Sequence, residues 1–177
     1  MIVVLMGVAG SGKTTVGEML AASIGCPFLE GDALHSTGNI QKMSHGIPLT
    51  DTDRAPWLAA IHARMLDAHQ RGQCLVVGCS ALRQSYREAL DEGLPVVWVY
   101  LKGAAPLLRS RLEHRPRHFM KADMLASQFE ALEEPSNALV VDVSPPPVAI
   151  VEHILAHLRN PVFVRAAETT RSVKGRA

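Results

Sequence analysis

The chain predicts an α/β fold, a parallel sheet with helices on both faces. Two observations carry that prediction. Short apolar runs, IVVLM (2–6), PFLE (27–30), CLVVG (74–78), VVWVYL (96–101) and ALVVD (138–142), alternate with helical patterns. Several are continuously hydrophobic and rich in valine, as strands covered on both faces tend to be. The stretches between them are long enough for the crossovers that parallel pairing requires. With 177 residues, 47% of them hydrophobic, the chain has material for one domain with a core of its own.

Taken in order, the first run leads into a glycine-rich loop and a helix over 14–24. The second is followed by a long connection, 31–50, that fits neither period. In 51–71, Leu58, Ile61, Met65 and Ala68 mark one helical face, while Arg64, Asp67 and Gln70 lie off it. Thr50 or Asp51 caps that helix and Gly72 follows its end. Residues 147–158 repeat the pattern through Ile150, Val151, Ile154, Leu155 and Leu158. The segment EHRPRHFMKA (113–122) breaks a helical region at Pro116 and concentrates basic groups, and irregular loops of this kind in compact domains usually carry function. Beyond Asn160 and Pro161 the chain carries Arg165, Arg171, Lys174 and Arg176, read as a basic tail. The expected organisation is a single domain over 1–159 and a tail over 160–177.

Composition excludes several classes. The net charge is +1, so no global field draws the protein to nucleic acid or to a membrane surface. No apolar run approaches the roughly 20 residues that span a bilayer. The N-terminus lacks the basic start and the apolar length of a secretory signal. Cys26, Cys74 and Cys79 have no zinc-site spacing, and their odd number fits a reducing compartment better than a disulfide framework. A cytoplasmic protein is expected.

The loop from Gly7 to Thr14, GVAGSGKT, fits G-x-x-x-x-G-K-[ST] in the required context, after a buried strand and before a helix. Its glycines let consecutive N–H groups curl around phosphate oxygens, and the helix N-terminus adds partial positive charge. The nucleotide-binding stretch is Gly7, Val8, Ala9, Gly10, Ser11, Gly12, Lys13, Thr14 and Thr15. Lys13 would reach the β- and γ-phosphates, and Thr14 would ligate Mg²⁺. The expected ligand is a nucleoside triphosphate, ATP, with magnesium.

A GTPase would show Asn-Lys-x-Asp, and NIQK (39–42) is not that. A motor would end a buried strand in an acid, whereas the third strand ends Gly78-Cys79-Ser80. The acid follows the second strand instead, as Asp32 in LEGDALH, where it can accept a proton from an acceptor hydroxyl. Ligands in such folds sit beyond the carboxyl ends of the strands. Arg111 and Arg115, four apart, share a helical face, and Arg117, His118 and Lys121 follow. Cations of this kind stabilise a transferring phosphoryl group, delivered by a lid over about 111–130.

Three blocks, GDALHSTGNIQKMSHGIPLTDTDRAPWL (31–58), CSALRQSYREAL (79–90) and RLEHRPRHFMKADMLASQFEALEEP (111–135), resemble the gluconokinases. The likeness runs over about residues 2–158 in the same order. It implies a P-loop kinase fold with five parallel strands in the order 2-3-1-4-5, related to shikimate and nucleoside monophosphate kinases. It also implies ATP-dependent phosphorylation of D-gluconate at the 6-hydroxyl and a homodimer. Two departures from the family pattern are Arg83, where lysine is common, and Arg117, where glycine is common before His118 and Phe119. By the family fold, the adenine pocket uses the stretch after Val141.

A sugar acid needs a fork-shaped cation and several short polar groups. Asp32 is the candidate base. Arg54 either binds substrate or pairs with Asp51 and Asp53, which themselves suit a helix cap. Ser80, Arg83 and Arg87 lie just past the third strand, and Arg87 is a candidate for the substrate carboxylate. His35 can bond a sugar hydroxyl or a loop group, Lys42 a carboxylate or only water, and His118 belongs with the substrate set. Trp57 packs on the substrate or in the core. His153 and His157 share a helical face without a third metal ligand, and Cys79 is either reactive or a small apolar group.

Overall fold

The computed structural model describes residues 1–114 and 124–159. Its sheet holds β1 (Ile2–Met6), β2 (Phe28–Glu30), β3 (Leu75–Gly78), β4 (Val96–Lys102) and β5 (Leu139–Asp142) in the order β2-β3-β1-β4-β5. Every neighbouring pair is parallel, and Val4 of β1 stands between Val77 and Trp98. The five strands expected from the apolar runs and the strand order implied by the resemblance are what the sheet shows.

Alternation along β1 explains why it has no polar face. Val3 and Leu5 point into one apolar layer with Val99, Leu101 and Ile154, covered by α1 (Lys13–Ile24) and α7 (Pro147–Leu158). Ile2, Val4 and Met6 point into the other, with Ile61, Met65 and Leu90, covered by α3 (Asp51–Gln70) and α4 (Gln84–Asp91). All five β1 residues are fully buried, and each aliphatic side chain so buried contributes about 1.5–3 kcal/mol before entropy is counted. The face read for α3 is the buried one. Thr50, rather than Asp51, caps it: the Thr50 hydroxyl accepts from Asp53 N–H, and Asp53 accepts from Thr50 N–H at 2.9 Å.

The connection 31–50 is more regular than the sequence suggested. A 3₁₀ turn over Gly31–Leu34 leads into α2 (Thr37–Ser44), whose first turn is capped by the Ser36 hydroxyl accepting from Asn39 N–H at 3.2 Å. A short polar helix has little hydrophobic periodicity to read, so only its cap is visible in sequence. After β4 come α5 (Ala105–Glu113) and α6 (Met124–Ala131). Arg115, Arg117, His118, Lys121 and the 160–177 tail lie outside the described residues.

The cysteine expectation is overturned. Cys26, in the turn between α1 and β2, is joined to Cys74, which precedes β3, with Cα atoms 5.4 Å apart. β2 and β3 run parallel side by side, so their amino ends bring together two residues 48 positions apart in sequence. Spacing alone could not pair them. Cys79 is the free thiol and is fully buried.

Candidate active site

The carboxyl ends of β1, β2 and β3 open into a cavity of about 270 Å³. Its floor is the loop between β1 and α1. Gly10 sits at φ +80, and a Cβ there would stand 2.9 Å from Leu108 O, so only glycine lets the loop pass α5. Gly12, at φ +91, turns the chain into α1, whose leading N–H groups have no carbonyl of a preceding turn to bond. Ala9, Gly10, Gly12, Lys13, Thr14 and Thr15 line the cavity, while Gly7, Val8 and Ser11 lie behind it.

Lys13 folds back over the loop, its Nζ donating to Gly7 O at 2.9 Å and Val8 O at 3.2 Å. The Thr14 hydroxyl donates to Glu30 Oε2 at 2.5 Å. Ala9 N–H donates to Gln128 Oε1 of α6 at 2.7 Å. The loop is therefore a row of donors with one ammonium, an arrangement suited to phosphate oxygens.

Asp32 stands opposite, in the 3₁₀ turn after β2, and among the described residues no hydrogen bond engages its carboxylate. His35 closes the turn and stacks on Trp57, ring centroids 4.2 Å apart and 13° from parallel. Burial is the main influence on His35 and holds its pKa below the usual value, with Asp32 opposing and Arg54 assisting. Burial thus favours the neutral imidazole. Trp57 is both core and wall: it is buried, borders the cavity and donates its indole N–H to Gly31 O at 2.8 Å.

The far wall is cationic. Arg54 and Arg83 lie over the Tyr86 ring at 5.6 and 5.8 Å from its centroid, and all three border the cavity. Arg54 donates to Leu49 O at 2.5 Å and Tyr86 Oη at 3.3 Å. Arg83 donates to Asp51 at 3.0 Å, and Tyr86 donates to the same carboxylate. That bond from Tyr86 is the largest influence holding Asp51 below the usual carboxylate range. So Arg54 does pair with Asp51, at 3.9 Å, while also facing the cavity. Ser80 borders the same space, and its carbonyl accepts from Gly7 N–H at 3.3 Å.

Other candidates are turned elsewhere. Arg87 is buried, donating to Ala81 O and Leu82 O at 3.0 and 3.1 Å and to Gln84 Oε1 at 2.8 Å, away from the cavity lining. A helix-borne guanidinium one turn inside α4 finds the carbonyls of the preceding loop before any ligand. Lys42 is spent on Asp53 at 2.7 Å, tying α2 to the start of α3. Arg111 donates to Val143 O at 2.7 Å, beside the stretch after β5, and does not line the cavity. Cys79 is no nucleophile here: burial pushes its thiol up to about 12.

Comparison with known proteins gives the family. A family model described as an AAA domain matches residues 2–135. A gluconokinase of Gluconobacter oxydans is 43% identical over 160 residues, covering 88% of this chain and 90% of its own. A thermoresistant gluconokinase of Escherichia coli is 43% identical over 155 residues, covering 85% and 89%. The chain belongs to the gluconokinase family. The crystal structure of a gluconokinase from Sinorhizobium meliloti superposes with a TM-score of 0.80 at 46% identity, covering 95% of this chain and 94% of that one.

Glu30 and Gln128, which bond the phosphate loop of this gluconokinase-family chain, were not among the sequence candidates. Glu30 ends β2, and the rule that selected Asp32, an acid beyond a strand's carboxyl end, applies equally to it. Gln128 had no signal of its own, since its partner Ala9 lies 119 residues away.

Proposed function

We propose that the protein transfers the γ-phosphoryl group of ATP to the 6-hydroxyl of D-gluconate, giving 6-phosphogluconate and ADP. The observation that carries this reading is the pairing of a phosphate-binding loop with the Asp32 carboxylate, which no hydrogen bond engages among the described residues, and a wall of two guanidinium groups in one cavity. The loop takes the triphosphate. Arg54 and Arg83 suit the sugar acid's carboxylate, which a fork-shaped cation recognises well. Asp32 accepts the proton of the attacking hydroxyl, and the neutral His35 beside it can bond a neighbouring hydroxyl. Ser80 offers a further short polar contact.

The residues present fit a magnesium ion. Among the described residues no three His, Cys, Asp or Glu side chains form a metal cage. Magnesium bound with a nucleotide does not need one, because it keeps waters and phosphate oxygens as ligands. Thr14 would hold it through the hydroxyl oxygen, whose proton is already directed to Glu30. When bound, the ion draws charge from the phosphates. Lys13 would do the same work once its ammonium leaves Gly7 O and Val8 O. Arg111 reaches the transferring group only by leaving Val143 O, and Arg115 and His118 complete the expected basic set. The proposed setting is cytoplasmic, with the chain acting as a homodimer and without nucleic-acid or membrane partners; among the described residues no helix is long and apolar enough to cross a membrane.

The test is ADP release from Mg-ATP with D-gluconate, beside idonate, glucose and shikimate. Strong stimulation by gluconate alone is the expected result. Stimulation by shikimate instead would leave the loop's reading intact and remove gluconate as the acceptor.

A further inference from the structure

The peptide group between Val8 and Ala9 is held at both poles. Its carbonyl accepts from Lys13 Nζ at 3.2 Å, and its N–H donates to Gln128 Oε1 at 2.7 Å. These two bonds differ in permanence. Lys13 carries the ammonium that a P-loop directs to the β- and γ-phosphates, so its bond to Val8 O competes with the ligand. Gln128 is neutral and is fixed from behind: Leu125 of α6 is buried in the core layer beneath α1 and α7, and Phe129 packs against it. The chain after α6 is anchored too, with Glu133 N–H donating to Leu82 O at 2.9 Å and Glu133 Oε2 accepting from Gln84 N–H at 2.6 Å. Ser127, Gln128 and Ala131 all border the cavity beside Ala9 and Lys13.

We propose that Gln128 is a positioning residue for phosphoryl transfer, a neutral acceptor on α6 that holds the Val8–Ala9 peptide in place when Lys13 moves onto the γ-phosphate. Neutrality matters as much as reach. A carboxylate at the same place would keep the bond to Ala9 N–H but put a negative charge beside the terminal phosphate, where a low local dielectric strengthens repulsion. A loop donor displaced by even a fraction of an ångström is misaligned with the charge that develops during transfer, so the loss falls on the chemical step. The proposal rests on the kinase reading above, but its decisive measurement needs no acceptor.

The experiment compares wild type with Gln128→Glu and Gln128→Met. Titration calorimetry measures Mg-ADP and the magnesium complex of a non-hydrolysable ATP analogue, and steady-state assays with gluconate separate kcat from KM. For Gln128→Glu, the ATP analogue is expected to bind about 10-fold or more weaker while ADP changes less than about twofold. Gln128→Met, which loses the acceptor without adding charge, is expected to lower kcat about 10-fold at nearly unchanged KM for gluconate. Equal weakening of both nucleotides by Gln128→Glu, or no weakening of either, overturns the placement beside the terminal phosphate. Unchanged kcat in Gln128→Met overturns the positioning role. Should the methionine variant fail to fold, Gln128→Ala, which also removes the acceptor without adding charge, carries the kcat measurement, and Gln128→Glu still tests the placement. Should gluconate prove the wrong acceptor, the nucleotide titrations stand untouched.

Discussion

Thr14 and Glu30 are joined hydroxyl to carboxylate at 2.5 Å, linking the first turn of α1 to the last residue of β2. The bond commits the Thr14 proton to Glu30, so the hydroxyl oxygen keeps its lone pairs for the proposed magnesium. Glu30→Gln keeps the size and an acceptor but removes the charge. The half-saturating magnesium concentration is expected to rise about 10-fold, as for other groups that orient a metal's ligand. Nucleotide affinity without metal should be unchanged. Titrating Mn²⁺ into the nucleotide complex by electron paramagnetic resonance checks this; unaltered metal affinity would leave Glu30 a structural partner only.

Asp32 has no competing hydrogen bond among the described residues, so its loss should be felt in chemistry rather than in folding. Asp32→Asn is expected to lower kcat by about 10²–10⁴-fold with ADP affinity retained. Turnover within tenfold of wild type would take the base role from Asp32.

Asp53 gives a pH dependence of stability. Lys42, then the Thr50 N–H and hydroxyl, hold its carboxyl down at about 2 from the usual 3.8. A depressed carboxyl contributes stability that is complete above its unfolded value and is lost as pH falls through the folded one. The gap in urea midpoint between wild type and Asp53→Ala should therefore be constant from pH 7 to pH 5. It should narrow between about pH 4 and pH 2. A gap that is flat down to pH 2 would detach the cap from this ionisation.

Arg87 is a test of structure against substrate binding. Arg87→Met removes the donors to Ala81 O and Leu82 O, and stranding such buried carbonyls costs about 1–3 kcal/mol. Urea denaturation should show that loss with little change in KM for gluconate. A raised KM with unaltered stability would return Arg87 to the substrate.

Cys26 and Cys74 close a loop with a sequence separation of 48. Cys74→Ser, or dithiothreitol on the wild type, is expected to lower stability by about 2–4 kcal/mol. A melting temperature insensitive to the reductant would show that the pair does not cross-link. In a reducing cytoplasm the same two residues would stand as thiols, so the measured redox sensitivity also bears on the setting.

Most of what is short-ranged was legible in the sequence, the short polar helix α2 excepted. Runs of valine and isoleucine specified strands, the 3.6-residue rhythm of Leu58, Ile61, Met65 and Ala68 specified the buried side of α3, and GVAGSGKT specified a phosphate loop, because each depends on neighbours within one or two turns of chain. The family followed from motifs in sequence order, and the order of the strands followed only from that resemblance. Tertiary structure alone decided where the long side chains end. Arg87 turns to its own loop, Lys42 to Asp53 and Arg111 to Val143 O, although all three were read toward the ligand. A flexible cation has several partners within reach, and only the folded backbone sets which carbonyl or carboxylate is nearest. The same holds for Cys26 with Cys74 and for Gln128 with Ala9: these contacts exist because parallel strands and a returning helix bring distant segments together, and no local pattern encodes that distance.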